Sequence, residues 1–426
     1  MRRQTQGRDL LRGGALIAVA MAVMNLTTYG FVIIAARLLG PAEYGSLAAV
    51  MGLVLVVNVL SLGLQATGAR QVSAAPEQLP RIERQVMSTS YASALALGAL
   101  MLAATPVVTD VLNLASWGSA ALVAVTAVPL TVMGGQAGIL QGERRWGPLA
   151  GIYLAVGVGR IGFGVLALAL DPHTLGAMIG VTAGAVLPVL VGWLALRRPA
   201  GRPGPRDIPA ALPAAAPSPS VLRETFHSSH ALLAFFALSN ADVIIARSTL
   251  SEHQAGLYAG GLILAKAVLF LPQFVVVVAF PSMSQTGSGR RMHLVSLALV
   301  LAIGIVTVVG VATLSSLAVT FVGGPEYVDL RARLWAFAAL GTLLAMLQLM
   351  VYNIVARQRQ RAVLLVWAAL VTLVVAATGV HRLRELLTVV LAVDAALFLL
   401  LLVRSLAPAY HRHPASRPPA RSDVSA

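Results

Sequence analysis

The chain has 426 residues, of which 58% are hydrophobic and 11% are charged, and its mean hydropathy is +0.83. Ordinary soluble domains carry about a quarter charged residues, so this composition excludes a soluble globular protein. The formal net charge is +15, and the absence of cysteine excludes disulfides and thiolate metal sites.

Apolar segments of membrane-spanning length recur along the chain, separated by short loops. A hydrocarbon core about 30 Å thick needs about twenty apolar residues to cross as a helix. We therefore predict an all-α polytopic membrane protein with about twelve transmembrane helices. The predicted spans, in chain order, are 14–36, 46–65, 86–108, 118–140, 149–170, 175–196, 231–246, 256–281, 294–322, 334–356, 362–380 and 386–403.

Arginine is concentrated in every second loop, which predicts the orientation of the chain. With both termini inside, the inner segments hold 23 arginines and the outer loops hold six. Positive residues accumulate on the cytoplasmic side of membrane proteins, so we expect cytoplasmic termini. This asymmetry and attraction to anionic membrane lipids account for the net charge, so we expect no nucleic-acid partner. The single lysine and the excess of alanine and arginine suggest a bacterial source with GC-rich DNA, so we expect the plasma (inner) membrane of a bacterium.

The longest polar stretch divides the chain into two halves of six predicted helices. Residues 197–226 include the run GRPGPRDIPAALPAAAPSPS, whose proline and small residues are typical of a flexible linker. We therefore predict an N-terminal six-helix bundle (1–196), a cytoplasmic linker (197–226), a C-terminal six-helix bundle (227–408) and a disordered tail (409–426).

The two halves carry similar sequence at an offset of 211 residues. The run VIIA at 32–35 recurs at 243–246, and Gly45 recurs as Gly256. Chance similarity is the alternative, because Val, Ile, Ala and Leu dominate all such helices. A true repeat with an even number of helices predicts a pseudo-two-fold axis along the membrane normal. It also predicts alternating access, with a substrate site between the halves near the membrane midplane.

The turn after the first predicted helix reads ARLLGPAEYG, residues 36–45. It resembles the A-R-x-L-G-P-x-x-Y-G turn of the polysaccharide transporter family, whose members flip lipid-linked oligosaccharides. These flippases are related to multidrug and toxin extrusion antiporters and to lipid II flippases. The second half carries a weaker echo at 256–259, GLYA. The resemblance implies an undecaprenyl-type lipid-linked glycan as substrate, but it says little about which glycan.

The same turn has a structural interpretation, which we favour over direct substrate contact. Gly40 and Pro41 end the preceding helix, because glycine relaxes the backbone and proline cannot continue the hydrogen-bond ladder. Tyr44 suits the membrane interface. Arg37 and Glu43 are placed to pair across the turn.

Two cations are predicted within spans, Arg160 in the fifth and Lys266 in the eighth. A charge at that depth costs about 2.5–3.5 kcal/mol on insertion scales, so such residues mark functional sites. We expect one cation from each half to face a shared cleft, and the resemblance implies a lipid diphosphate as their anion. The alternatives are a structural pair of Arg160 with Asp394, and snorkelling of Lys266 or its packing against Asp242.

Two acids and two amides complete the candidate site. Asp242 and Asp394 lie within spans and are candidates for proton or sodium coupling, although Asp242 is also placed to pair with Arg247 near the surface. Asn25 and Gln136 are candidate substrate contacts, with bridging between helices as the alternative.

The sequence contains no motif of an enzyme, because it has no P-loop lysine, HExxH, GxSxG or Asp-rich metal cluster. We expect no catalytic residue, cofactor or resident metal. The expected function is flipping of a lipid-linked oligosaccharide from the inner to the outer leaflet. The alternatives are a cation-coupled antiporter of small molecules and a membrane scaffold for cell-wall synthesis.

Overall fold

The computed structural model describes residues 2–197, 219–283, 289–356 and 360–406. Every regular element within these ranges is helical, as predicted. The tail 409–426 and most of the expected linker lie outside the described residues. The α-helices are α1 (Arg2–Val57), α2 (Val59–Ala74), α3 (Leu79–Ala103), α4 (Thr105–Val111), α5 (Trp117–Gly142), α6 (Trp146–Leu170), α7 (Thr174–Arg197), α8 (Pro219–Thr249), α9 (Glu252–Met283), α10 (Gly289–Thr313), α11 (Ser315–Val322), α12 (Leu334–Ala356), α13 (Gln360–Ala377) and α14 (Leu383–Leu406).

The helix α1 contains two membrane passes, because it bends sharply at Gly40. That residue has φ 65° and ψ 176°, a conformation that glycine adopts without the Cβ clash of other residues. Pro41 follows and removes a backbone donor from the ladder. A straight helix of 56 residues would be about 84 Å long, far more than a bilayer needs. The first pass therefore ends at Gly40, and the second continues through Asn58 into α2.

Nine described segments are long and apolar enough to cross a membrane, and the first of them, Gly13–Ala74, holds both passes of the bent hairpin. The apolar helices α9 and α13 add two further passes to these ten. The third pass is α3 with α4, and the ninth is α10 with α11. The described residues thus form twelve passes, which agrees with the number predicted from the sequence.

The passes pack as two groups. Helices α1–α7 contact one another and form what we call the N-lobe, and α8–α14 form the C-lobe. Helix α8 begins at Pro219, inside the segment 197–226 that we expected to be linker. The lobes meet mainly where α1 and α2 contact α8 and α9.

The helices of the two lobes recur at nearly the same offset as the sequence repeat. The helix Leu79–Ala103 has its counterpart in Gly289–Thr313, and Thr174–Arg197 has its counterpart in Leu383–Leu406. Gly45 and Gly256, which the repeat pairs, touch directly. A Cβ atom on Gly45 would lie 2.9 Å from the Cα of Gly256. Since a two-fold axis brings equivalent residues together, this contact marks the pseudo-two-fold axis.

Hydrogen bonds join the lobes at both ends. At the end beside Gly40, which we expect to face outwards, Arg37 donates to the carbonyl oxygen of Thr320 at 2.7 Å. Arg247 donates to the carbonyl oxygen of Leu112 at 2.9 Å. We call these two contacts the arginine clamps. At the opposite end, Thr225 of α8 donates to Thr67 of α2 at 3.3 Å.

The predicted pair of Arg37 with Glu43 is wrong. The carboxylate of Glu43 instead accepts hydrogen bonds from the backbone N–H of Thr174 at 2.8 Å and from its hydroxyl at 2.6 Å. A carboxylate at a helix N-terminus satisfies donors that have no intrahelical partner. Glu43 therefore fixes the start of α7, and Arg37 is left to hold the other lobe.

Candidate functional site

A cavity of about 150 Å³ lies between the lobes. Arg160 from the middle of α6 and Lys266 from the middle of α9 both line it, one from each lobe. The structure therefore brings together the two cations that the sequence marked. The other lining residues are Thr28, Tyr29, Phe31, Val32, Tyr44, Leu47, Ala48, Met51, Leu55, Val243, Ala259, Leu262 and Ile263.

The cavity lies on the pseudo-two-fold axis, since both members of several repeat pairs line it. These pairs, separated by 211 residues, are Val32 and Val243, Ala48 and Ala259, Met51 and Leu262, and Leu55 and Lys266. One position of the last pair is leucine and the other is lysine. The two walls therefore share a backbone arrangement but differ in chemistry.

Arg160 forms no hydrogen bond or ion pair with any residue that the structure describes. The alternative of a structural pair with Asp394 is therefore not realised. A guanidinium within a membrane protein is costly without a partner, and water or an anion can supply one. An apolar cavity with an uncompensated arginine at its wall is suited to an anionic ligand.

Lys266 is held by a neutral partner, not by an acid. Its Nζ donates to Oδ1 of Asn240 at 2.9 Å, and Asn240 is 2% exposed. The Nδ2 of Asn240 donates to the carbonyl oxygen of Phe236 at 2.8 Å, which orients the amide. The side chain lines the cavity, so it does not snorkel to the membrane surface. Asp242 acts on Lys266 electrostatically but forms no ion pair with it, so the ammonium remains available to an anion.

Asp242 is buried in the C-lobe, at 2% exposure. Its Oδ2 accepts a hydrogen bond from the hydroxyl of Tyr258 at 3.3 Å. The predicted alternative pair with Arg247 is wrong, because Arg247 binds the carbonyl oxygens of Leu112 and Asn113 and the carboxylate of Glu252. The carboxylate of Asp242 therefore has no cationic hydrogen-bond partner among the described residues.

Asp394 is also 2% exposed, and its Oδ1 has no hydrogen-bond partner in the described part of the chain. The charges of Asp242 and Asp394 act on one another, so the two carboxyl groups form an electrostatically linked pair. Like charges in a medium of low dielectric repel strongly. This arrangement can take up a proton or a small cation, but neither acid lines the cavity.

The two amides lie in different places. The Nε2 of Gln136 donates to the carbonyl oxygen of Val189 at 3.2 Å, so Gln136 bridges α5 and α7 within the N-lobe. It is 1% exposed and does not reach the cavity. Asn25 is half-buried and lies one turn before Thr28 and Tyr29 on the same face of α1. It extends the lining face of α1 but does not line the cavity itself.

Sequence reasoning missed two tyrosines of the site. Tyr29 donates from its hydroxyl to the carbonyl oxygen of Ile263 at 3.1 Å, which joins the lobes beside the cavity. Tyr44 is 5% exposed and lines the cavity, so it packs between the lobes and does not face lipid. A position-by-position comparison of the two halves would have indicated both tyrosines as site residues. At the offset of 211 residues, Tyr29 corresponds to Asn240 and Tyr44 corresponds to Ala255.

The same comparison shows where the two copies of the repeat differ in chemistry. Four polar side chains of the C-lobe correspond to aromatic or aliphatic side chains of the N-lobe. The C-lobe residues are Asn240, Asp242, Tyr258 and Lys266. Their N-lobe counterparts, in the same order, are Tyr29, Phe31, Leu47 and Leu55.

A sequence profile described as polysaccharide biosynthesis protein matches residues 10–287. Among curated proteins, none matches the chain. An inward-facing multidrug resistance MATE family transporter of the MOP superfamily is 12% identical, with a TM-score of 0.66 over 90% of this chain and 94% of that chain. An outward-facing MATE family transporter is 16% identical, with a TM-score of 0.59 over 93% and 94%.

A third solved structure, a MOP superfamily transporter from Pyrococcus furiosus, is 15% identical, with a TM-score of 0.58 over 93% and 94%. Likenesses at this level of identity establish the fold, and the profile, which covers more than half of the chain, establishes the family. The chain therefore belongs to the polysaccharide biosynthesis protein family and has the fold of the MOP superfamily transporters.

Proposed function

We propose that the protein flips an undecaprenyl-type lipid-linked oligosaccharide from the inner to the outer leaflet of a bacterial plasma membrane by alternating access. One observation carries this proposal. Arg160 and Lys266 come from different lobes, line the same cavity, and have no ion-pair partner among the described residues. The family supports a polysaccharide precursor as the class of cargo.

The two cations reduce the cost of moving a phosphorylated headgroup through the membrane. An isolated phosphate is strongly hydrated, and leaving water is costly unless opposite charge is supplied. The lipid tail stays in the bilayer while the headgroup occupies the cavity. With cytoplasmic termini, an inside-negative potential favours outward movement of the anion by about 2.3 kcal/mol per charge per 100 mV.

Asp242 and Asp394 are the proposed ion-coupling residues. They lie in the lobe that contributes Lys266, and the charge of Asp242 acts on Lys266. Binding of a proton or sodium ion at this pair therefore changes the field at the cavity. Return of that ion would reset the empty carrier.

The second candidate function is a cation-coupled antiporter of small molecules, and the buried carboxylate pair favours it. Two of the similar solved structures are described as multidrug resistance transporters. The structure from Pyrococcus furiosus is described as having a binding pocket of reversed polarity that suggests a different function. In this chain the cavity is lined by cations and not by acids, which favours an anionic cargo.

A leaflet-access assay in proteoliposomes tests the proposal. We expect the wild-type protein to move diphosphate-linked oligosaccharide, and Arg160→Ala and Lys266→Met each to reduce the rate at least tenfold. Arg384→Ala, which removes an exposed arginine outside the cavity, is the matched control and should keep the wild-type rate. Full transport by a well-folded Arg160→Ala protein would contradict the proposal. Transport of cationic drugs without glycolipid transport would favour the antiporter.

A further inference from the structure

Three uncharged polar side chains meet in the N-lobe. The Nε2 of Gln65, on α2, donates to Oε1 of Gln141, on α5, at 2.9 Å. The same nitrogen donates to the hydroxyl of Tyr153, on α6, at 2.8 Å. All three side chains are partly exposed. We call these residues the amide–tyrosine cluster.

The amide–tyrosine cluster keeps hydrogen-bonding capacity for a ligand. The two N–H groups of Gln65 are used within the cluster, whereas the Oε1 of Gln65, the Nε2 of Gln141 and the O–H of Tyr153 are not. The described residues provide no further hydrogen-bond partner for any of these three atoms. None of the three is a fully buried atom without a hydrogen bond. The Oε1 of Gln65 is therefore a free acceptor and the Nε2 of Gln141 a free donor, and the hydroxyl hydrogen of Tyr153 has no acceptor among the described residues.

The cluster lies between the level of the cavity and the end of the molecule opposite the arginine clamps. Tyr153 precedes Arg160 by seven residues, two helical turns, and so shares its face of α6 about 10 Å away. Gln65 lies on the second pass beyond Leu55, which lines the cavity. A ligand that extended from Arg160 along α6 towards this end would approach Tyr153 and its two partners.

We propose that Gln65, Gln141 and Tyr153 form a carbohydrate subsite that holds the sugar next to a diphosphate bound at Arg160 and Lys266. This inference rests on the proposed function. Neutral amides and a phenol match the alternating donors and acceptors of sugar hydroxyls. The separation of about 10 Å along α6 leaves room for a diphosphate followed by a sugar ring.

The amide–tyrosine cluster of the N-lobe is not repeated in full in the C-lobe. At the offset of 211 residues, Gln65 corresponds to Val276, Gln141 to Tyr352 and Tyr153 to Leu364. Two of the three polar side chains therefore have apolar counterparts, so the C-lobe has no equivalent of the whole cluster. The diphosphate would be held by both lobes.

Binding to the purified full-length protein tests the subsite with two kinds of probe. The first is a polyprenyl diphosphate without sugar, and the second is the same lipid carrying a hexose, an N-acetylhexosamine or a hexuronate. At least one sugar should improve binding about tenfold over the bare diphosphate. Tyr153→Phe and Gln65→Leu should each remove about fivefold or more of that advantage, as expected for a lost hydrogen bond. Both variants should bind the bare diphosphate as the wild type does.

Tyr91→Phe is the matched control, because Tyr91 lies exposed on α3 away from the cluster. Thermal unfolding of each variant shows that the fold is intact. Absence of a sugar advantage in the wild-type protein, or an equal loss for both probes in Tyr153→Phe and Gln65→Leu, would overturn the subsite. Failure of Arg160→Ala to weaken binding of the bare diphosphate would instead count against the proposed function, so the two failures are distinguishable.

Discussion

The guanidinium of Arg247 donates a hydrogen bond to the carbonyl oxygen of Leu112 at 2.9 Å, which ties the C-lobe to the C-terminus of the short helix α4 in the N-lobe. The other arginine clamp is the bond from Arg37 to the carbonyl oxygen of Thr320, near the C-terminus of α11 in the C-lobe. A cation is favourable at a helix C-terminus, where carbonyl groups lack intrahelical partners. Opening of the molecule at this end must break both clamps.

We expect Arg247→Ala to shift the protein towards the conformation that is open at the clamped end. Arg247 is 4% exposed, and hydrogen bonds of charged groups contribute about 1.5–3 kcal/mol, so the population ratio should change at least tenfold. Because the chain has no cysteine, spin labels can be placed at Val111→Cys and Val328→Cys without removing other thiols. Pulsed EPR should show longer distances in the Arg247→Ala background.

Arg37→Ala should act in the same direction, and the double variant should open further than either single variant. Arg333→Ala, an exposed arginine that forms no clamp, is the control for lost surface charge. An unchanged distance distribution in the double variant would show that the clamps do not hold the lobes together.

Asn240→Leu should weaken binding of the anionic cargo while Lys266 remains in place. The Oδ1 of Asn240 holds the ammonium at 2.9 Å, and without it the flexible lysine samples other rotamers. We expect a fivefold to tenfold loss in affinity for a polyprenyl diphosphate, measured by titration. Asn240→Asp provides the contrasting case, because a carboxylate would neutralise Lys266 and reduce affinity further. Equal affinities in the wild type and both variants would exclude this role for Asn240.

Gly256→Ala should destabilise the protein, because an added Cβ would lie 1.8 Å from the carbonyl oxygen of Pro41. Relief of such a clash requires movement of the backbone, and overpacking of this kind costs about 1–3 kcal/mol or more. Gly310→Ala is the control, since nothing lies within 4 Å of its added Cβ. Helix propensity alone predicts that the control is slightly stabilised. Thermal unfolding in detergent compares the two, and equal midpoints would contradict the close approach of the lobes.

Asp394→Asn should remove the dependence of transport on an ion gradient while leaving binding of the diphosphate lipid intact. The change keeps the shape of the side chain but removes the charge that acts on Asp242. We expect transport to respond to a proton or sodium gradient in the wild type and to lose that response in Asp394→Asn and Asp242→Asn. Retained gradient dependence in both variants would remove these residues from the coupling mechanism.

The sequence predicted the fold well because membrane passes and repeats leave long, regular signals. Twenty-residue apolar segments and the offset between Gly45 and Gly256 are properties of the chain itself. Arg160 and Lys266 stood out because a charge in a span is costly, whatever surrounds it. These signals did not depend on knowing which helices are neighbours.

The partners of the polar residues were not predictable in the same way. Arg37, Glu43 and Arg247 all bind groups more than a hundred residues away, and two of them bind backbone carbonyls that carry no sequence signal. Gln136 was a candidate cavity residue because it is a neutral polar group within an apolar span. Only the packing of α5 against α7 shows that it is buried within one lobe.

The backbone contact between Gly45 and Gly256 can act as the pivot about which one lobe tilts against the other. No side chain separates the two backbones there, so a tilt of one lobe about this point changes the contact little. The passes that start near it are about 45 Å long, so a tilt of about ten degrees would displace their far ends by roughly 8 Å. Small rotations at one surface of the membrane are thereby converted into a wide gap at the other.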